Sequence, residues 1–294
     1  MKKIKFVVDS SGDFSNEVIN EYDLEVLPLG IIHEGRLYQD RVDISIEEFN
    51  KILETSPKIP TSVAVNIQEW YDSFERHAIS GSYDMLIVVC LGHMLSCTLQ
   101  NAIQAREMLL SNYPDTKLEI KIFNSNITTS AYSYPVIEAA KMYQASSSDA
   151  VYEEIETYLV DWFNHVEAYY VAMSMDLPRK SGRINTSSAF VGSLLNIKPI
   201  LRVKEGKFTL VNKARGEKQV LKQLGKYVEE RKQDNSPVFC TNGNHPTILT
   251  LLKEAYPEIE YVVEAGPAMT LNAGTDMFAF GFLSNEKHEV KNPL

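Results

Sequence analysis

Hydroxyl and amide side chains stand at the ends of four apolar runs in this chain. Ser10 and Ser11 follow Ile4–Val8, Thr61 and Ser62 precede a helical stretch at 67, Ser96 and Thr98 come after Met85–Cys90, and Asn124 and Ser125 after Ile120–Phe123. In parallel α/β sheets, ligands lie beyond the carboxyl ends of the strands. Hydroxyls beside a helix N-terminus, with its unpaired N–H groups and positive dipole end, can hold an anion there. The same residues serve equally as N-caps or as Asx and Ser/Thr turns, and the pattern alone does not choose. Helix N-termini also favour thiolates, so Cys97, like Ser96, is a candidate nucleophile for a hydrolase or acyltransferase. His93 precedes Ser96 by three residues across a loop–helix junction, a spacing that fixes no catalytic geometry.

Other chemistries lack their motifs. The chain has no GxxxxGK[ST], no GxGxxG after its first strand, no HExxH and no GxSxG. Its three cysteines, Cys90, Cys97 and Cys240, form no CxxC pair, and its six histidines form no cluster. Neither a zinc site nor a disulfide framework is indicated, and no metal or cofactor is expected. Cys90 and Cys240 end apolar runs and read as core residues.

The formal charge of −10 argues against non-specific nucleic-acid binding and broad adhesion to anionic membranes. Nothing approaches an apolar span of ~18 residues, and Met1-Lys-Lys-Ile-Lys leads into a strand rather than a signal segment. The expectation is a cytoplasmic protein with no stable membrane anchoring. At 294 residues, 44% hydrophobic, it can form two domains around a packed core.

The elements that must carry these residues alternate in the first half, the pattern of an α/β layer fold. Ile4–Val8 reads as a strand and Ser15–Tyr22 as a helix. Leu24–Ile32 and Arg36–Tyr38 flank a turn at His33-Glu34-Gly35, a small hairpin within residues 24–43. Ser45, with Glu48 three residues on, forms a capping box for a helix over Ser45–Leu53. A loop over Pro57–Thr61 leads to a helix at Ile67–His77. The unalternating run Met85–Cys90 is a strand buried on both faces, followed by a helix carrying Ala102, Ala105 and Leu109. Ile120–Phe123 is the next strand, Pro135–Tyr143 a helix with proline in its first turn, and Ala150–Phe163 another helix.

The second half reads Glu167–Met173 as a strand and Ser187–Leu195 as a helix. Ile200–Val203 and Phe208–Val211 form a hairpin about Lys204-Glu205-Gly206-Lys207, Lys218–Arg231 a helix, and Val238–Thr241 and Tyr261–Glu264 strands. The boundary falls between a domain of residues 1–163 and one of 164–294.

Seven segments, in order, resemble the signature segments of DegV proteins. They are Val7-Val8-Asp9-Ser10-Ser11, Pro60-Thr61-Ser62, Leu95-Ser96-Cys97-Thr98 with Asn101-Ala102, Gly182-Arg183-Ile184, Phe190 to Leu195, Ile197-Lys198-Pro199-Ile200 and Lys213-Ala214-Arg215-Gly216. The resemblance spans about residues 4 to 283. It implies a two-domain α/β fold, with a parallel-sheet N-terminal domain, a mixed C-terminal domain and the ligand between them. It implies binding of a long-chain fatty acid rather than catalysis, with the carboxylate held by Thr61, Ser96 and the Cys97 amide. Ser62, Ser10 and Asn272 would form the rim, and Arg183 and Arg215 would contact a partner or phosphate. A carrier of a different amphiphile is the alternative within the same architecture.

Some DegV proteins present the bound acid to a separate fatty acid kinase subunit, and the sequence departs from the family where that role is concerned. A usual His-x-Gly-Pro-Gly reads Asn272-Ala273-Gly274-Thr275-Asp276 here. Two serines before the Leu-Ser pair are Leu91-Gly92, the glycine after it is Cys97, and an aspartate before Ser125 is Asn124. Asn272 donates a hydrogen bond but neither takes a proton nor carries charge at neutral pH. Asp276 would add negative charge beside a bound carboxylate. Fatty-acid binding survives these departures better than kinase partnership does.

Overall fold

A computed structural model describes residues 2–148, 150–183, 197–243 and 246–294. The elements run β1 (Ile4–Asp9), α1 (Asn16–Glu21), β2 (Glu25–Leu27), β3 (Gly30–His33), β4 (Arg36–Gln39), α2 (Ile46–Thr55) and β5 (Thr61–Val63). Next come α3 (Ile67–Ser80), β6 (Met85–Cys90), α4 (Thr98–Asn112), β7 (Glu119–Asn124), α5 (Ser130–Ala145) and α6 (Val151–His165). The second half holds β8 (Val166–Ala172), α7 (Asp176–Ser181), β9 (Ile197–Lys204), β10 (Lys207–Arg215), α8 (Glu217–Arg231) and β11 (Val238–Asn242). It closes with α9 (Pro246–Ala255), β12 (Ile259–Glu264), α10 (Pro267–Ala273) and β13 (Met277–Leu283).

Three sheets organise these elements. A parallel sheet has the order β2-β1-β6-β7, and β6 at its centre is buried throughout, as its unbroken apolar run requires. A small antiparallel sheet, β4-β3-β5, sits beside it, and a mixed six-stranded sheet has the order β10-β9-β8-β13-β11-β12. The first two sheets use strands up to residue 124 and the third only strands from residue 166 on. One buried apolar cluster nevertheless runs through both halves, joining Val8, Val89, Trp162, Tyr170, Phe239 and Met277.

Two of the changed expectations lie at prolines. Leu24–Ile32 is two strands, because Pro28 has no N–H for a ladder; β2 joins the parallel sheet and β3 the small one. Pro135 lies well inside α5, which starts at Ser130. It leaves the carbonyl of Ala131 without its helical donor. Trp162 Nε1 on α6 donates to that carbonyl at 3.0 Å, so a distant indole replaces the missing amide. The expected helix over Ser187–Leu195 lies outside the described residues. Thr61, assigned to a loop, begins β5, and α9, α10 and β13 complete a second half that the pattern reading left sparse.

The capping box of α2 is complete: Glu48 N–H donates to Ser45 Oγ at 3.2 Å, and Ser45 N–H to Glu48 Oε2 at 2.9 Å. After β13, residues 284–294 cross back to the first sheet. Ser284 N–H bonds His165 O at 2.8 Å, Val290 N–H bonds Asn164 Oδ1 at 2.8 Å, and Leu294 N–H bonds Ile122 O at 2.7 Å. No described helix is long and apolar enough to cross a membrane.

Candidate functional site

The carboxyl ends of β1, β6 and β7 converge, as parallel strands joined by crossovers must. Asp9, at the end of β1, is fully buried and ties that end to the end of β6. Its Oδ1 accepts the Ser11 N–H at 3.0 Å and its Oδ2 the Leu91 N–H at 2.8 Å. Burial pushes the Asp9 carboxyl up to about 6, although these donors favour its charged form. The Leu91–Leu95 turn is moulded on the turn after β7. Gly92 N–H donates to Ile127 O at 3.0 Å, and a Cβ on Gly92 would stand 2.9 Å from the Asn126 carbonyl carbon.

A cavity of about 350 Å³ opens where this edge faces the six-stranded sheet. Its polar wall comprises Ser62 of β5, Ser96 and Cys97 before α4, Thr128 and Thr129 before α5, Arg183 and Asn272. One apolar wall is a face of the six-stranded sheet, with Ala168 and Tyr170 of β8, Val203, Phe208, and Met277 and Ala279 of β13; Leu91, Leu95 and Ile127 add apolar surface beside the polar groups. Alternation in β13 makes the room. Phe278, Phe280 and Phe282 are buried against the far side, with Val220 and Leu224 of α8, and leave small side chains facing the cavity. The sequence reading missed this wall, although the large–small alternation Phe278-Ala279-Phe280-Gly281-Phe282 signals it.

Ser96 lines the cavity at the start of α4. Its hydroxyl accepts the Thr98 N–H at 3.2 Å and lies 2.9 Å from Thr98 Oγ1. The N-cap residue of α4, Cys97, makes no side-chain cap bond and lines the cavity, so the dipole end of a 15-residue helix lies beside it, with Ser96 accepting only the Thr98 N–H among its amides. Among the described residues neither Ser96 nor Cys97 has a base. The Cys97 thiol is exposed and its contact is Asn101 Nδ2 at 3.8 Å, while His93 turns its ring to Asn124 and Asn126.

The expected residues divide into two groups. Ser62, Ser96, Cys97, Asn272 and Arg183 meet at the cavity. Thr61 does not join them: it is exposed and outside the lining. Ser62 pairs with Ile31, which is fully buried, whereas Thr61 pairs with Ile32, which is exposed, so strand alternation puts them on opposite faces. Ser10 is buried away from the cavity; its hydroxyl donates to Asp40 Oδ2 at 2.7 Å and accepts Leu29 N–H at 3.0 Å. Arg215 is exposed at the end of β10, also outside the lining.

Asn272 lies in the last turn of α10 rather than in a loop, and its Nδ2 donates to Ala268 O at 2.8 Å and to Ser62 Oγ at 3.3 Å. Asp276 faces a neighbouring polar cleft with Lys58 and Lys180, not the cavity. The start of α10 is seated on two buried carboxylates of the first half. Asp13 Oδ1 accepts Gly266 N–H at 2.8 Å and Asp40 Oδ1 accepts Ala268 N–H at 3.1 Å. Burial pushes Asp13 up to about 7, against the pull of Arg41, whose guanidinium is 3.5 Å away, and raises Asp40 as well. Thr129, β-branched and at φ 58°, adds backbone strain beside the cavity of order 1–3 kcal/mol. Its N–H is held by Ser11 O at 2.7 Å. No group of three or more metal-ligating side chains occurs among the described residues.

Comparison with known proteins agrees with this architecture. The model of the DegV family of uncharacterised proteins matches residues 3–285. A DegV domain-containing protein of Caldanaerobacter subterraneus is 31% identical over 229 residues, 78% of each chain. One of Clostridium acetobutylicum is 28% identical over 279 residues, 94% of this chain and 96% of that protein. Among solved structures, a stearic-acid-binding protein from Eubacterium ventriosum superposes with a TM-score of 0.82 at 21% identity, over 97% of this chain and 98% of that one. DegV of Bacillus subtilis, described as a fatty acid binding protein, gives 0.79 at 21% identity, over 97% and 100% of the two chains.

Proposed function

The chain belongs to the DegV family, and from that premise we propose that it binds and sequesters a long-chain fatty acid between domains of residues 1–163 and 164–294. The observation that carries the reading is the polarity of the cavity. Ser62, Ser96 and the start of α4 stand at one side, and an apolar sheet face lines the other.

A carboxylate placed against Ser96 receives its O–H and first-turn amides of α4 beyond Thr98, whose own N–H Ser96 already accepts; a helix N-terminus leaves such donors unpaired. The Ser62 hydroxyl already accepts from Asn272, which leaves its proton free to donate to the ligand. Ser62 takes the place that the family resemblance gave to Thr61. The acyl chain then gains about 0.8 kcal/mol per methylene it buries, less the cost of ordering it. Arg183 lines the cavity, and its Nη1 donates to Ser181 O at 2.7 Å, holding its charge where an acidic headgroup enters.

In this reading the site holds the acid without transforming it. Asn272 supplies a neutral amide, so sequestration is favoured over presentation to a kinase subunit. Titration with palmitate tests the reading: Ser62→Ala combined with Ser96→Ala weakens binding at least tenfold, about 1.4 kcal/mol, in a folded protein. Unchanged affinity in that double variant contradicts it.

A further inference from the structure

We propose that Asn292 is a positioning residue for the carboxylate loop, fixing Asn124 and, through it, the Leu91–Leu95 turn that delivers Ser96. The inference rests on the carboxylate reading above and adds a contact far along the sequence.

The outer edge of β7 meets no further strand of its sheet. At Asn124 that edge is closed by one side chain. Asn124 N–H donates to Asn292 Oδ1 at 2.8 Å, and Asn292 Nδ2 donates to Asn124 O at 2.9 Å. This pair imitates the two bonds that a neighbouring strand would make. The segment is held on either side: Val290 N–H bonds Asn164 Oδ1 at 2.8 Å, and Leu294 N–H bonds Ile122 O at 2.7 Å.

The Asn124 side chain turns the other way, into the protein, where it is 7% exposed. Its Oδ1 accepts the backbone N–H of Asn126 at 3.1 Å and of His93 at 3.3 Å. Its Nδ2 donates to Asn126 Oδ1 at 2.8 Å and lies 2.9 Å from His93 Nδ1. One amide thus joins the turn after β7 to the turn after β6. Two residues beyond His93, Leu95 N–H closes on Gly92 O at 2.8 Å, and Ser96 follows. Asn292 anchors the outer side of this relay and His93 the inner side.

Loss of Asn292 leaves the Asn124 backbone groups on an edge strand that water can reach, so folding loses little. The change falls on the loop, whose amide relay is released on one side. A headgroup effect differs from general loosening in its ligand dependence: Leu91 and Leu95 of the loop line the cavity for any acyl chain, whereas Ser96 is placed for the carboxylate.

The test compares Asn292→Ala with the unaltered chain, using myristate and tetradecanol as probes and amide exchange of residues 91–97 without lipid. Expected are an affinity for myristate lowered by about tenfold, a clearly smaller loss for tetradecanol, faster exchange at 91–97 and an unaltered melting midpoint. Asn292→Asp, which keeps only the acceptor, falls between. Unchanged myristate affinity overturns the proposal, as does an equal loss for both probes. If the unaltered chain takes up no myristate, the carboxylate reading fails and exchange decides the positioning role alone. Faster exchange in the variant then supports it, and unchanged exchange overturns it.

Discussion

Asp13 makes this protein's stability rise as the solution is acidified from pH 8 to pH 5. Its carboxyl is 2% exposed and pushed up to about 7 by burial, from an ordinary value of 3.8. A group whose pKa is raised by folding stabilises fully below its unfolded pKa and loses that contribution as pH rises through the folded one. At pH 5 the solution is about two units below the folded pKa and still above the unfolded one. At 1.36 kcal/mol per unit, Asp13 contributes about 3 kcal/mol more than at pH 8. Asp9, at about 6, adds about 1 kcal/mol by the same arithmetic. His288 opposes them: burial lowers its pKa, so stability falls as pH drops through the unfolded value of 6.5. Below pH 4.5 Glu25 and Glu167 take over. Burial alone would raise them, but His77 and Ser73 for the first, and Arg231 and Tyr169 for the second, hold them low. Their contribution is lost as pH falls.

The decisive comparison is urea denaturation from pH 5 to pH 8 for the unaltered chain and for Asp13→Asn. The amide keeps an acceptor for Gly266 N–H and tolerates the left-handed backbone, φ 54°, at this position. The variant's change on acidification is expected to lie about 3 kcal/mol below that of the unaltered chain. Equal pH slopes in the two proteins refute the assignment of Asp13 as the buried, protonating seat of α10.

Three further outcomes follow from the geometry. Gly92→Ala forces a Cβ to 2.9 Å from the Asn126 carbonyl carbon, so it should cost about 1–3 kcal/mol in thermal denaturation and weaken fatty-acid binding together. Trp162→Phe strands the Ala131 carbonyl and should cost about 1–3 kcal/mol beyond lost packing. Adding Pro135→Ala restores an N–H to that carbonyl, and a double-mutant cycle in urea should recover this part; additive effects would contradict the substitution of indole for amide. Thr61→Ala, at an exposed position, should leave palmitate affinity unchanged while Ser62→Ala lowers it several-fold, and the reverse order would restore Thr61 as the contact.

Much of the first half was legible because its signals are local. The unalternating run of β6 and the Ser45–Glu48 box act within a few residues, as does the Lys204–Lys207 turn joining β9 and β10 in the second half. The errors arise where the controlling partner is remote or where register decides. Pro135 reads as a helix start only while Trp162, 31 residues from Ala131, is unseen. Thr61 and Ser62 are adjacent hydroxyls, and a strand sends neighbours to opposite faces, so naming the one at the cavity requires the pairing with β3. Ser10 has the residue type of a ligand contact, yet Asp40 and Leu29 consume its bonding capacity from 30 and 19 residues away. Ser96 was legible because helix start, hydroxyl and strand end coincide in a few residues.

Native mass spectrometry of the freshly purified chain, with organic extraction of what it releases, tests the central claim most directly. The account predicts one long-chain fatty acid per chain, released on denaturation and lost when Ser62 and Ser96 are both alanine. A protein that is empty as purified and takes up no added fatty acid contradicts it.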